Sequence, residues 1–207
     1  MAVERIGIFG GTFDPPHLGH LTLAAEAHAQ LGLTRLLWVL TPNPPHKPGQ
    51  PITPLKHRLA MLQLAIAGYP DFELSRVEMD RPGPHYAADT LNILACENPG
   101  AELIYLMGGD SLRDLPDWHR PADLVSACHA LGVMRRPGAA LDLAALEAIL
   151  PGITAKVRFI DAPRVDISSR EIRRLAAEGL PYRGYLPAAV YDYIQEHRLY
   201  RRTTNNE

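Results

Sequence analysis

Residues 6–20 read Ile-Gly-Ile-Phe-Gly-Gly-Thr-Phe-Asp-Pro-Pro-His-Leu-Gly-His, and that order leaves little freedom in what the chain can build. Ile6, Ile8 and Phe9 make a short apolar run of strand character. Gly10 and Gly11 then permit backbone angles and close approaches that any side chain would forbid. Pro15 and Pro16 keep a helix from starting before His17. Leu18, Leu21, Leu23, Ala24, Ala25, Ala27 and Leu31 return at helical spacing, and Gly32 closes the run. The stretch predicts a strand, a glycine-rich turn through Thr12 and Phe13, and a helix.

His17 and His20 stand three apart in the first turn of that helix, on neighbouring positions of one face. Unpaired N–H groups and the positive end of the helix dipole collect at the same place, which suits an anion such as phosphate, and two imidazoles add donors without fixed charge. A plain turn with two incidental histidines is the competing reading, and a metal site is a third. For the metal, Asp14 is the one other obvious ligand nearby and the helical His-Glu-x-x-His pattern is missing. The lysine phosphate loop and the Gly-x-Gly-x-x-Gly turn are both absent.

Further strands follow, the 35–41 run apolar without alternation, as expected where a parallel strand is covered on both faces. They fall at 35–41, 72–79 (one or two short strands), 102–107, 129–134 and 157–160. Helical patterns lie between them, at about 53–68, 85–97, 121–127 and 141–150. This alternation predicts an α/β chain, a Rossmann-like doubly wound parallel sheet with a small C-terminal helical portion. One domain is expected over 1–200, with a nucleotide-binding core at about 1–165, a helical part at about 166–200 and a polar tail at 201–207. Cys96 and Cys128 are too few for a disulfide framework and read as reduced, buried thiols. A formal charge of -2 gives no footprint for nucleic acid or a membrane, and no apolar run approaches a membrane span, so a cytoplasmic protein is expected.

Several loops at strand ends carry candidate groups. Six prolines from Pro42 to Pro54 make a stiff loop in which Lys47 can hold a phosphate, unless the loop is only a connector. Thr53 and Pro54 read as the cap and first turn of the next helix, whose role reads as packing. Asp110 and Ser111 either cap a short helix or face a ligand. Trp118 is a core plug or a stacking plate for a flat ring. Ser168 and Glu171 form a capping-box pattern, and Arg170, Arg173 and Arg174 crowd cations into a helix start where acids would be preferred, which suggests a polyphosphate.

Residues 10–20 resemble the His-x-Gly-His signature of the nucleotidyltransferase superfamily, specifically its nicotinate mononucleotide adenylyltransferase branch. Softer likenesses run in the family's order from residue 6 to about residue 200. Pro44-Pro45-His46-Lys47 resembles a loop over the mononucleotide. Tyr86-Ala87-Ala88-Asp89-Thr90-Leu91 is similar to Tyr-Thr-x-Asp-Thr-Leu, with Ala87 where threonine is usual. His119 stands where tyrosine is frequent. Ile167-Ser168-Ser169-Arg170-Glu171-Ile172-Arg173 is similar to Ile-Ser-Ser-Thr-x-Ile-Arg, with Arg170 in place of the threonine.

The resemblance implies adenylyl transfer from ATP, with Mg²⁺, to nicotinate mononucleotide in NAD biosynthesis, by a monomer or homo-oligomer. It implies catalytic roles for His17, His20 and Arg173. Gly10, Gly11, Thr12, Phe13, Ile167, Ser168 and Ser169 join them in binding ATP, and Lys47, Tyr86, Ala87, Thr90, Gly108, Asp110, Trp118, His119 and Arg136 bind the mononucleotide. Nicotinamide mononucleotide or phosphopantetheine as acceptor, and a non-catalytic nucleotide sensor, remain the alternatives.

Overall fold

The inner strands are apolar on both sides, and the pleat sends successive residues into two separate cores. The structure, a computed structural model, describes residues 3–44, 49, 51–135, 141–163 and 166–201. In chain order the elements are β1 (Arg5–Gly11), α1 (Leu18–Leu31), β2 (Arg35–Leu40), α2 (Leu55–Ile66), β3 (Phe72–Ser75), α3 (Ala87–Glu97), β4 (Glu102–Gly108), α4 (Gly109–Arg113), α5 (Pro121–Ala127), β5 (Ala130–Met134), α6 (Leu143–Ile149), α7 (Ile153–Lys156), β6 (Val157–Ile160), α8 (Ser169–Ala177) and α9 (Ala188–Glu196).

Leu36, Trp38, Leu40, Ile104 and Leu106 face one core, shared with α1, α2, α8 and α9. Leu37, Val39, Leu103, Tyr105 and Met107 face the other, shared with α3, α5 and α6. Period-two placement on two covered faces is why the strand sequences show no alternation. The C-terminal helices α8 and α9 thus pack into the same core as α1 and α2.

All pairings are parallel, and the spatial order is β3-β2-β1-β4-β5-β6. This is the doubly wound order whose topological switch point lies between the first and fourth strands, where such sheets bind ligands beyond their carboxyl ends. The registers show why. β1 stays paired with β2 to Gly11↔Leu40, but its pairing with β4 stops at Ile8↔Tyr105. Beyond that point β4 follows β5, to Gly108↔Met134. A crevice therefore opens between the ends of β1 and β4.

Several expectations need correction. Only Phe72–Ser75 of the 72–79 stretch is strand, and Arg76 to Asp80 forms a turn closed by the Asp80 N–H on the Arg76 carbonyl. Pro54, not Thr53, is the N-cap of α2, with no side-chain cap bond. Cys128 is buried as expected, its thiol pushed up to about 11 by burial, whereas Cys96 is exposed on α3. Among the described residues no helix is long and apolar enough to cross a membrane.

Candidate active site

The turn after β1 is built tightly from its own residues. A side chain at Gly11 would stand 2.9 Å from the Phe13 ring, so glycine lets that ring fold back over the strand end. Phe13 itself takes a left-handed conformation, φ 46°, which is uncommon without a glycine and is held here by packing. Its ring meets those of Phe9, Trp38 and His20 at 5.4, 5.2 and 5.2 Å.

The rings of the two histidines lie against each other at the start of α1, tilted by 31° with 3.7 Å between ring centres. The His17 backbone N–H donates to His20 Nδ1 at 3.2 Å, so a neutral His20 carries its proton on Nε2 and is a donor there. His17 is 6% exposed, and burial lowers its pKa to about 4. It is therefore an uncharged imidazole at neutral pH, and its Nδ1 has no hydrogen-bond partner among the described residues.

The late signature reaches this turn. Ser168 caps α8 by accepting from the Glu171 N–H at 3.2 Å, while the Glu171 carboxylate pairs with Arg174 at 2.6 Å, so only half of the expected capping box forms. Arg174 also pairs with Glu178, which turns it to the outside and removes it from the cations expected at a polyphosphate. Ser169 and Arg173, four apart on one helix face, point at the turn. Ser169 Oγ donates to the Pro15 carbonyl at 2.8 Å, and Arg173 Nη1 donates to the Asp14 carbonyl at 2.6 Å. The starts of α1 and α8, more than 150 residues apart in sequence, thus meet.

Beside this junction lies a cleft of about 990 Å³ at the switch point. Gly10, Gly11 and Thr12 line one part of it, and Tyr86, Ala87, Thr90, Trp118 and His119 line another. The Tyr86 and His119 rings stack at 3.8 Å. Trp118 meets Tyr105 edge-on at 6.3 Å, so it packs on the core with part of its surface turned to the cleft. Ala87 opens α3, where the first N–H groups have no acceptor within the helix. Thr90 is buried and donates to Glu78 Oε1 at 2.6 Å, a supporting contact. Gly108 and Asp110 are not among the residues lining the cleft; Gly108 caps α4 and Asp110 lies 3.4 Å from Arg113. Lys47 and Arg136 lie outside the described residues.

A family model for cytidylyltransferase-like proteins matches residues 8–175. The chain belongs to this family. Its relatives include a Thermomicrobium roseum protein named "Probable nicotinate-nucleotide adenylyltransferase", 47% identical over 96% of this chain and 92% of that one. A protein of the same name from Roseiflexus sp. is 44% identical over 97% of this chain and all of its own. In fold the chain is similar to Plasmodium falciparum nicotinic acid mononucleotide adenylyltransferase complexed with NaAD, TM-score 0.78, 21% identity, covering 95% of this chain and 97% of that one.

The cytidylyltransferase-like core also holds polar groups that the sequence reading passed over. Arg58, 2% exposed, sends its guanidinium to the carbonyls of Thr12, Thr41, Pro42 and Thr53 at 2.7 to 3.0 Å. It ties the ends of β1 and β2 to the start of α2. The available signal was a charged residue on the apolar face of a helix, between Leu55 and Leu62. Glu78, His85 and Tyr105 line the cleft as well. Tyr105 carries the one polar tip in an apolar strand run; Glu78, in a turn, gave no signal.

Proposed function

We propose that this chain transfers the adenylyl group of ATP to nicotinate mononucleotide, releasing pyrophosphate and forming nicotinate adenine dinucleotide. The observation that carries the reading is the meeting of two helix starts on one glycine turn beside a cleft at the switch point. Its relatives carry the name of this activity.

The acceptor phosphate has a second pKa of about 6, so at neutral pH it is mostly the dianion and needs no base. Its oxygen attacks the α-phosphorus of ATP, the bond to the β-phosphate bridge breaks, and pyrophosphate leaves with the electron pair. What such a displacement requires is alignment of two anions and neutralisation of charge on the leaving group. His20, with its proton on Nε2, donates toward the phosphates, and Arg173 brings a planar cation to the same place. Ser168, Ser169 and Ile167 set the start of α8, and Gly10 to Phe13 set the turn. Neutral His17 orients His20 by ring packing and adds no charge.

Mg²⁺ belongs to the ATP substrate. Among the described residues no group of three or more His, Cys, Asp and Glu is placed to hold a metal ion, and the turn offers N–H donors suited to phosphate oxygens. Brought in with ATP, the ion would screen the charge of the phosphates.

On the acceptor side, Trp118 and the Tyr86–His119 stack frame a slot for the pyridine ring, and the start of α3 at Ala87 presents N–H groups to its carboxylate. Lys47 is assigned to the mononucleotide phosphate, and Arg136 to the mononucleotide. Pyrophosphate release with ATP and each of nicotinate mononucleotide, nicotinamide mononucleotide and phosphopantetheine tests the reading. Release is expected with nicotinate mononucleotide, about tenfold or more above that with the amide; equal or greater release with either alternative overturns it.

A further inference from the structure

Asp14 is the enclosed acid of the phosphate-binding turn, 3% exposed, and three distant segments converge on it. Its Oδ1 accepts from the Tyr200 hydroxyl at 2.7 Å. Its Oδ2 accepts from the Thr53 backbone N–H at 3.1 Å. Its carbonyl accepts from Arg173 Nη1 at 2.6 Å. With a donor fixed on each carboxylate oxygen, rotation of the side chain is arrested, and the carbonyl that faces Arg173 is held with it.

Tyr200 lies beyond α9, and its ring packs against the core formed by α1, α2, α8 and α9. Burial first, and then the Asp14 carboxylate, raise the phenol well above its ordinary range, so it remains a donor across physiological pH. A packing role needs the ring alone; the hydroxyl on Asp14 asks for something more.

We propose that Tyr200 is a positioning residue: through Asp14 its hydroxyl fixes the turn carbonyl that holds Arg173, and so sets the guanidinium against the triphosphate of ATP. The inference rests on the adenylyl-transfer reading for the identity of the ligand.

Tyr200→Phe keeps the ring and deletes the donor. It is expected to lower kcat/KM for ATP by about tenfold while the KM for nicotinate mononucleotide changes less than about twofold. Combined with Arg173→Lys, it is expected to add almost nothing to the loss caused by Arg173→Lys alone, because both act on one grip. Losses that multiply, equal losses for both substrates, or a lowered thermal midpoint with unchanged kinetics overturn the proposal. Should Tyr200→Phe not fold, Asp14→Asn, which sets an NH₂ against either Tyr200 or Thr53, replaces it in the same cycle with the same criteria. The Kd for Mg·ATP is measured by calorimetry in each variant alongside turnover. If the unsubstituted chain binds ATP but releases no pyrophosphate, the functional reading fails alone, and coupling or its absence in Kd still decides the role of Tyr200.

Discussion

His17 shows how burial alone can decide what a residue does. Its imidazole sits under the His20 ring, nearly out of water, and the cost of charging it there lowers its pKa to about 4 from the ordinary 6.5. The unfolded chain therefore takes up a proton at a higher pH than the folded one. Between pH 6.5 and 4 the unfolded state binds more protons, so stability falls as pH falls through that window and is fully present above it. The shift corresponds to a loss of about 3 kcal/mol across the window. Urea unfolding at pH 7 and pH 4.5 checks this: His17→Gln is expected to lose markedly less stability on acidification than the unsubstituted chain, and equal losses would remove the assignment. The same burial gives His17 and His20 separate tasks, one an uncharged support and the other the donor at the helix start.

Among the elements, α2 carries a load that its sequence only half discloses. Arg58 is buried with four carbonyls around it, and removing the guanidinium leaves them without donors in a site closed to water. Arg58→Met is expected to cost about 3 kcal/mol, seen as a lower urea midpoint with an unchanged slope; a change under about 1 kcal/mol would show that water or rearrangement satisfies those carbonyls. A charge on the apolar stripe was visible in the sequence. Its partners were not, because Thr12, Thr41, Pro42 and Thr53 contribute backbone oxygens, which every residue has. The inner strands were legible for the opposite reason: covered on both faces, each needs an unbroken apolar run, and 36–40 and 103–107 supply one.

Errors came where neighbours in sequence are not neighbours in space. Cys96 has apolar residues beside it, yet it lies off the Ala88, Leu91, Leu94 stripe by which α3 packs, and so it faces out. Arg174 adjoins Arg173 in sequence, but one residue is about 100° of helix rotation, enough to pass it from the turn to Glu171 and Glu178. The candidate site divides in the same way. The turn at Gly10 to His20 and the Ser168–Arg173 start were readable as local motifs, each with a geometry set by its own residues. Glu78, His85 and Tyr105 come together in the cleft only through the parallel crossovers, which bring widely separated segments to one sheet edge.

At the scale of the whole molecule, the sheet order does the assembling. β1 parts from β4 after Ile8 and Tyr105, which opens the cleft, and the chain then returns after β6 to lay α8 on the turn where it began. We propose that the two helix starts grip one triphosphate. Amide hydrogen exchange with increasing concentrations of Mg²⁺ and a non-hydrolysable ATP analogue, without acceptor, tests this most directly. Residues 10–20 and residues 168–173 are expected to gain protection together, with the same midpoint in ligand concentration. Protection confined to one segment, or two midpoints well apart, would contradict the account.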